Sequence, residues 1–232
     1  GYVVLSVLDS ATNLTTTDSV LVQVNTVSPT LSLSLNNFQN ITLNTTLFNG
    51  TNYFTSCGIS FPPVKLVKQT TGANNNSTYL VDWGDGSTVQ VLGSNWPANG
   101  LLKAYSSPGF YIITVTVIST NGCTATTSIG YFQGSTPAGG IVPPGNATLC
   151  LPDSLAIPIS GTSNNVPGTT YTITVSDSSS PVTFVHPNIG NSYVHYFQFP
   201  SCGFTVGQFA NAFKMDMVIT NPCGSALSSL SP

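Results

Sequence analysis

The sequence predicts an all-β protein made of tandem β-sandwiches, and two observations support that prediction. Of its 232 residues, 41% are hydrophobic and only 5% are charged. The chain therefore has enough apolar material for a core but lacks glutamate and arginine, two good helix formers. Valine, isoleucine, threonine, tyrosine and phenylalanine recur in short runs instead, which is typical of strands. The second observation is an internal repeat of a hairpin pattern.

Each copy of the repeat has alternating apolar residues, a short polar turn and a second strand rich in threonine or serine, which predicts a β-hairpin. The copies occupy three stretches: 1–24, 109–132 and 212–230. Each copy is followed by a proline: Pro29, Pro137 and Pro232. Because proline suits a stiff boundary, these positions are predicted to mark the ends of modules.

The repeat divides the chain into three predicted units. Residues 1–26 form the last hairpin of a truncated module, and residues 29–133 and 137–232 form two complete modules. About a hundred residues with short, regularly spaced strands is the size and pattern of an immunoglobulin-like β-sandwich. Since residue 1 falls inside a predicted strand, we expect the chain to be a piece of a longer protein.

The charge pattern argues against two classes of partner. Seven acidic and four basic residues give a net charge of −3, and all the basic residues are lysines. Without arginine or a basic cluster, the surface lacks the positive footprint that nucleic-acid binding needs. No run approaches the ~20 apolar residues of a membrane span, so we expect no membrane insertion in this segment.

The stretch YLVDWGDGSTVQV, residues 79–91, is the most informative motif of the chain. Tyr79, Val81 and Trp83 occupy alternate positions, which predicts a strand with one buried face. Trp83 is expected to anchor the core, because burial of its large ring removes much apolar surface from water.

The two aspartates of this motif, Asp82 and Asp85, leave three roles open. In a turn, Asp85 and Gly86 would be the central pair of a two-residue hairpin, while Asp82 would accept hydrogen bonds from nearby backbone N–H groups. As calcium ligands, they would need carbonyls and waters to complete about six to eight oxygens. As a general acid and base, they lack a third catalytic group nearby in the sequence. Turn structure is the favoured interpretation, and calcium binding is the alternative.

This motif and the segment KAYSSPGFYIITVTV at 103–117 together resemble the PKD domain family. That family has a W-D-F-G-D-G-type turn, then H-x-Y, then G-x-Y-x-V-T-V. Lys103 stands where the family has histidine. In the last module His195 occupies the corresponding place, whereas TVSDSSS at 174–180 has neither the tryptophan nor the turn glycines.

The PKD resemblance implies a β-sandwich that serves as a spacer or adhesion module on secreted proteins. It is specific for 29–133, diverged in 137–232 and limited to the final hairpin in 1–26. It implies structural turn or core roles for eight residues: Asp82, Trp83, Gly84, Asp85, Gly86, Tyr105, Gly109 and Tyr111.

A second resemblance covers the last module. Its segments CLPDSLAIPI, HYFQFPSCG and NPCGS are similar to the repeats of giant gliding-motility surface adhesins of Bacteroidetes, of the SprB type. This resemblance implies a cell-surface location, gliding motility and type IX secretion. Triplets resembling the O-glycosylation acceptor of that phylum begin at three aspartates: Asp9, Asp18 and Asp153. N-x-S/T sequons, which would make the chain a glycoprotein in a suitable host, begin at seven asparagines: Asn13, Asn40, Asn44, Asn49, Asn75, Asn76 and Asn146.

The five cysteines have no C-x-x-C spacing, which argues against a structural zinc site and favours disulfides in an extracellular compartment. Equivalent positions in the two complete modules predict the pairs Cys57–Cys123 and Cys150–Cys223, with Cys202 left over. Alternatively, Cys202 pairs with Cys223 and leaves Cys150 free.

Two further sets of residues are candidates for chemistry. Either His186 or His195, with Asp177 and one of the many serines, could form a catalytic triad, but no nucleophile-elbow motif is present, so structural roles are favoured. Trp96 is the one aromatic residue in an evident loop, GSNWPANG, and is a candidate for contact with a sugar.

The leading functional hypothesis is a non-enzymatic structural or adhesive repeat segment of a long extracellular surface protein. Its expected partners are neighbouring repeats of the same polypeptide and a surface polysaccharide or substratum. The alternatives are a carbohydrate-binding or spacer module of a secreted hydrolase, and an S-layer-type protein. No cofactor is expected, with calcium as the one exception left open.

Overall fold

A computed structural model describes residues 2–21, 31–69, 76–145 and 149–230, and every helix or strand in these ranges is a β-strand. The predicted all-β fold class is thereby confirmed. In the same ranges, no helix is long and apolar enough to cross a bilayer.

The chain begins with an isolated two-stranded hairpin. Strand β1 (Tyr2–Asp9) pairs antiparallel with β2 (Leu14–Leu21). The Asp9 carboxylate closes the turn by accepting hydrogen bonds from the Ala11 N–H at 2.9 Å and the Thr12 hydroxyl at 2.6 Å. All described side chains of this hairpin are exposed, so its apolar residues contribute to no core.

The next nine strands form the two sheets of a first sandwich. They are β3 (Leu33–Asn36), β4 (Thr45–Phe48), β5 (Thr51–Cys57), β6 (Val64–Lys68), β7 (Asn76–Asp82), β8 (Gln90–Leu92), β9 (Leu101–Lys103), β10 (Gly109–Ser119) and β11 (Thr124–Gly134). One sheet has the order β3-β6-β9 and the other β4-β5-β11-β10-β7-β8. β5 and β11 pair in parallel, and the other pairs are antiparallel.

The first core lies between these two sheets. It is built from the alternate positions that the sequence pattern placed on one face of β7, from side chains on the same face of the neighbouring β10, and from the side chains of the smaller sheet that face them. Its buried members are Leu35, Val64, Leu66, Tyr79, Val81, Trp83, Leu101, Tyr105, Tyr111, Ile113, Val115, Val117 and Tyr131.

The last nine strands surround a second core. They are β12 (Gly140–Ile141), β13 (Asp153–Ser160), β14 (Thr170–Val175), β15 (Val182–Val185), β16 (Ser192–Phe197), β17 (Thr205–Val206), β18 (Phe209–Ala210), β19 (Met215–Asn221) and β20 (Gly224–Leu230). The sheets have the orders β12-β13-β16 and β15-β14-β19-β20, and β17 and β18 form a small hairpin. The core includes Ile157, Ile159, Tyr171, Ile173, Val175, Met217 and Ile219.

The turn after β7 differs from the predicted two-residue hairpin. The innermost pair of β7 and β8 is Val81 with Gln90, so residues 82–89 form a wider loop. Positive φ angles occur at Gly84 (+70°) and Gly86 (+75°), whereas a type I′ turn would have required one at Asp85. The two glycines of the motif, Gly84 and Gly86, permit this wider loop, because glycine adopts a left-handed backbone conformation at little steric cost.

The predicted disulfide pairs are wrong. The structure joins Cys57 to Cys223, with their Cα atoms 5.6 Å apart, and leaves Cys123, Cys150 and Cys202 as free thiols. The bond links the end of β5 to the turn between β19 and β20, and therefore joins the first sandwich to the second.

Strand geometry explains why Cys57 does not pair with Cys123. Cys57 lies beside Gly134, the last residue of β11, whereas Cys123 immediately precedes Thr124, the first residue of that strand. An 11-residue strand is about 33 Å long, and a disulfide requires Cα atoms within about 7 Å.

The same reasoning applies to Cys150. Its neighbour Leu149 lines a cavity together with Met215, the first residue of β19. Cys223 lies just beyond Asn221, the last residue of that 7-residue strand, which is about 20 Å long, so the two cysteines lie towards opposite ends of β19. Cys123 and Cys223 lie in similar hairpin turns, in each of which an asparagine two residues earlier accepts the cysteine N–H, but the sequence repeat could not show which ends of the modules meet.

Candidate functional site

The loop at residues 82–89 holds the motif that the sequence singled out. Trp83 is 4% exposed in the first core, while Gly84 brings the backbone against β10. A Cβ atom on Gly84 would collide with the carbonyl oxygen of Ile112, so the close approach requires glycine. Gly86 has open space around it and needs glycine only for its positive φ.

Both aspartates accept hydrogen bonds from the loop itself. Asp82 Oδ1 accepts from the backbone N–H of Gly84 at 2.9 Å. Asp85 Oδ1 accepts from the backbone N–H and the hydroxyl of Ser87 at 3.1 and 2.6 Å. These contacts to residues two positions further on are those of Asx turns, which stabilise tight backbone.

The second oxygen of Asp85 forms a salt bridge with Lys103, whose Nζ lies 2.6 Å from Oδ2. Burial alone would raise the pKa of Asp85, but hydrogen bonds from Lys103 and Ser87 outweigh burial and lower it to about 2. The ammonium also lies over the rings of Trp83 and Tyr105, 5.7 and 5.6 Å from their centroids. Lys103 therefore joins the loop to the core by charge and by cation–π contact.

Lys103 is the residue whose role sequence reasoning missed. The sequence identified it only as a departure from the histidine of the family pattern. A signal was available, because KAY at 103–105 aligns with H-x-Y and keeps a basic side chain at the first position.

The residues behind the loop are the aromatic ones that the PKD resemblance marked as structural. The Tyr105 hydroxyl donates to the carbonyl oxygen of Trp83 at 2.9 Å, and the Tyr111 hydroxyl donates to that of Ser107 at 2.6 Å. Burial raises the pKa of both Tyr105 and Tyr111. A Cβ on Gly109 would lie 3.1 Å from the Tyr111 ring, so the strand passes close beneath that ring.

The contacts of Asp82 and Asp85 suit a structural brace. Both oxygens of Asp85 are in use, and calcium coordination would require Lys103 to leave its present position. Among the described residues, no three His, Cys, Asp or Glu side chains are grouped closely enough to hold a metal ion. Neither carboxylate is within hydrogen-bond distance of a histidine or cysteine that would complete a catalytic set.

The second sandwich contains a corresponding pair, Asp177 and His195. His195 Nε2 lies 2.6 Å from Asp177 Oδ2, and its Nδ1 lies 3.1 Å from the Tyr193 hydroxyl. Burial acts to raise the pKa of Asp177, but hydrogen bonds from Ser179 and His195 lower it overall. The hydroxyl that contacts His195 belongs to a tyrosine, and no serine, threonine or cysteine is a hydrogen-bond partner of its ring among the described residues.

His186 lies apart from that pair. Its Nδ1 is 3.0 Å from the hydroxyl of Tyr171, which also accepts a hydrogen bond from Asn165 Nδ2 at 2.8 Å. The two histidines are therefore in separate contacts, and Asp177 contacts His195.

Trp96 is half-buried against the first core. Its ring meets Tyr79 edge-on with the centroids 5.2 Å apart. Its indole N–H is buried and has no hydrogen-bond partner among the described residues. Trp96 thus packs against the protein, and sugar contact at this residue stays a prediction.

The sequons differ in accessibility. Four of their asparagines are exposed: Asn13, Asn40, Asn44 and Asn49. Asn76 is buried and its Nδ2 donates to the Tyr79 hydroxyl at 2.7 Å, so this sequon is closed in the folded chain. Asn75 and Asn146 lie outside the described residues. The serines of the three acceptor-like triplets are exposed: Ser10, Ser19 and Ser154.

No family model and no curated protein matches the chain. Solved structures that match include the FN1–FN3 domains of chicken CNTN1, with 12% identity over 77% of this chain and a TM-score of 0.31. A Ca²⁺-stabilised adhesin with which an Antarctic bacterium binds ice matches with 13% identity over 99% of the chain and a TM-score of 0.33.

A 1.5-MDa bacterial ice-binding adhesin matches with 12% identity over 89% of the chain and a TM-score of 0.29. The chain spans 61%, 55% and 64% of the lengths of these three structures. The fold class rests on the strands described above.

Proposed function

We propose that this chain is a structural and adhesive repeat segment of a long extracellular surface protein. The observation that carries the proposal is the Cys57–Cys223 bond, which joins two sandwiches into one covalently linked unit. Disulfides persist in oxidising, extracellular compartments, where a crosslink between modules resists separation.

The state of the titratable groups supports a non-enzymatic role. Asp85 is held by Lys103, and Asp177 is held by His195. Each of these contacts braces a loop in the same place of its sandwich, which is the use expected of a structural module.

The surface supports contact with other extracellular polymers. It carries few charges, and exposed apolar side chains are scattered over the outer strands, including Leu47, Val194 and Leu227. The partners we propose are neighbouring repeats of the same polypeptide and a surface polysaccharide or substratum. Gliding motility and type IX secretion are proposed from the sequence resemblance alone.

Immunogold labelling of intact source cells with antibodies against residues 31–230 tests the proposal. We expect label on the cell surface that disappears when intact cells are treated with protease. A cytoplasmic antigen serves as the control for cell integrity. Label confined to the cytoplasm would contradict the proposal.

Mass spectrometry of the immunoprecipitated parent chain distinguishes the proposed repeat segment from the main alternative, a module of a secreted hydrolase. We expect further copies of the module in the same polypeptide. A catalytic domain in that polypeptide would favour the accessory module of a secreted hydrolase. Loss of surface spreading in a deletion strain tests gliding separately.

A further inference from the structure

The junction between the two sandwiches is a packed and crosslinked contact. Next to the Cys57–Cys223 bond, the Asn221 side chain donates to the carbonyl oxygen of Ser135 at 2.9 Å. The carbonyl oxygen of Gly134 accepts from the Gly58 N–H at 2.9 Å, which holds the ends of β11 and β5 together. The crosslink is thus anchored in paired backbone on its first-sandwich side.

Apolar side chains fill the rest of the junction. Phe132 and Val166 are 0% and 5% exposed, yet neither belongs to the two cores. A Cβ on Gly134 would lie 2.9 Å from Val166, and a Cβ on Gly168 would lie 2.9 Å from the Phe110 ring. The two sandwiches therefore meet at close range beside the disulfide.

The position of the crosslink decides how a pulling force crosses the second sandwich. Cys223 immediately precedes β20, which runs from Gly224 at the junction to Leu230, where it pairs with Met215. A strand is already close to the maximum length of its residues. Between the crosslink and Leu230, the load path is this one extended strand.

We infer that the Cys57–Cys223 bond is a mechanical bypass that carries tension past most of both sandwiches. Force entering before β3 reaches Cys57, crosses the bond to Cys223 and continues along β20. The two cysteines have a sequence separation of 166, and the residues between them remain outside the load path. Nearly all of the second core and the loop with Asp82 and Asp85 are within the protected segment.

The disulfide prevents a long stretch of chain, from Cys57 to Cys223, from extending under load. A chain of 166 residues extends to about 560 Å at ~3.4 Å per residue, whereas the crosslink replaces it with a Cα–Cα distance of 5.6 Å. An oxidised segment under load would lengthen by only the residues before Cys57 and after Cys223. The purpose of the bypass rests on the proposed function, but its mechanical behaviour can be measured independently.

Force spectroscopy on the full 232-residue chain, pulled from its two termini, tests the inference. We expect the total contour-length gain to increase by about 560 Å when the chain is pulled in dithiothreitol instead of without reductant. The double variant Cys57→Ser/Cys223→Ser should show the longer gain under both conditions.

Cys123→Ser is the matched control, because it removes a free thiol near the far end of β11 and should leave the redox difference unchanged. Equal contour lengths with and without reductant in the wild-type chain would overturn the inference. A thiol titration should find three free cysteines before reduction and five after it in the wild type, but three under both conditions in the double variant, which identifies the bond as Cys57–Cys223. Cell-surface labelling tests the proposed function independently of force spectroscopy. Failure of one proposal can therefore be told apart from failure of the other.

Discussion

The two sandwiches contain the same carboxylate–base pair but enclose it differently. The base follows the aspartate by 18 residues in both, as Lys103 after Asp85 and as His195 after Asp177. In the first pair the aspartate and lysine side chains are 21% and 17% exposed, and in the second pair the aspartate and histidine are 8% and 7% exposed. In each, a carboxylate oxygen accepts the N–H of the serine two residues further on.

The surroundings of the pair have changed more than the pair itself. Where the first sandwich buries Trp83, the second buries the smaller Val175. Where the first has Gly86 at a φ of +75°, the second has Ser178 at +70°. The brace and its backbone geometry are therefore common to both modules, whereas the tryptophan and the glycines are particular to one.

The largest expected effect comes from giving the first sandwich the side chain of the second. Trp83→Val should lower the free energy of unfolding by about 2–4 kcal/mol, because a cavity forms where the ring was. Urea unfolding measures it. Leu227→Val, at a 66% exposed position, is the control and should change stability by less than about 0.5 kcal/mol. Equal effects of the two substitutions would mean that Trp83 is not a core anchor.

The two glycines of the loop, Gly84 and Gly86, should differ in how much a substitution destabilises the fold. Gly84→Ala should cost at least about 2 kcal/mol, because the new methyl group meets Ile112 and the φ is positive. Gly86→Ser should cost only about 1 kcal/mol, since Gly86 has open space and Ser178 already adopts this conformation. Thermal unfolding compares them, and a reversed order would refute the close approach at Gly84.

What could be predicted from the sequence was local in origin. The alternation of Tyr79, Val81 and Trp83 reflects the two-residue period of a strand, so the buried face followed from the pattern alone. The role of Lys103 did not follow, because it depends on β9 and the β7–β8 loop meeting in space. The disulfide did not follow either, because the parallel pairing of β5 with β11 decides where Cys57 lies.

Double-mutant cycles should show that the enclosed pair couples more strongly. For Asp177→Asn and His195→Gln we expect a coupling free energy of about 1–3 kcal/mol, because a buried hydrogen bond to a charged group is hard to replace. For Asp85→Asn and Lys103→Met we expect about 1 kcal/mol or less, since water screens the more exposed pair. Urea unfolding at pH 7 measures the free energies of unfolding for both cycles. A larger coupling in the first sandwich would reverse the comparison.

The smallest effect is the acid sensitivity of the first pair. The pKa of Asp85 in the folded chain is about 2, below the ordinary value of 3.8. Its stabilising contribution is therefore fully present above pH 3.8 and is lost as the pH falls towards 2. The stability difference between the wild type and Asp85→Asn, about 1 kcal/mol or less at pH 5, should shrink steadily over that interval. Urea midpoints at pH 5, 3.5 and 2.5 measure it.

Lys103→Met supplies the control for this pH dependence. It removes a hydrogen bond that lowers the pKa of Asp85, so the carboxyl should protonate at higher pH. In the Lys103→Met background, the stability difference between chains with aspartate and with asparagine at position 85 should already be smaller at pH 5. It should also change less on acidification. Because the other aspartates are present in every variant, their protonation affects all the curves alike. A wild-type difference that stays constant down to pH 2.5 would show that Asp85 and Lys103 are not paired in the folded chain.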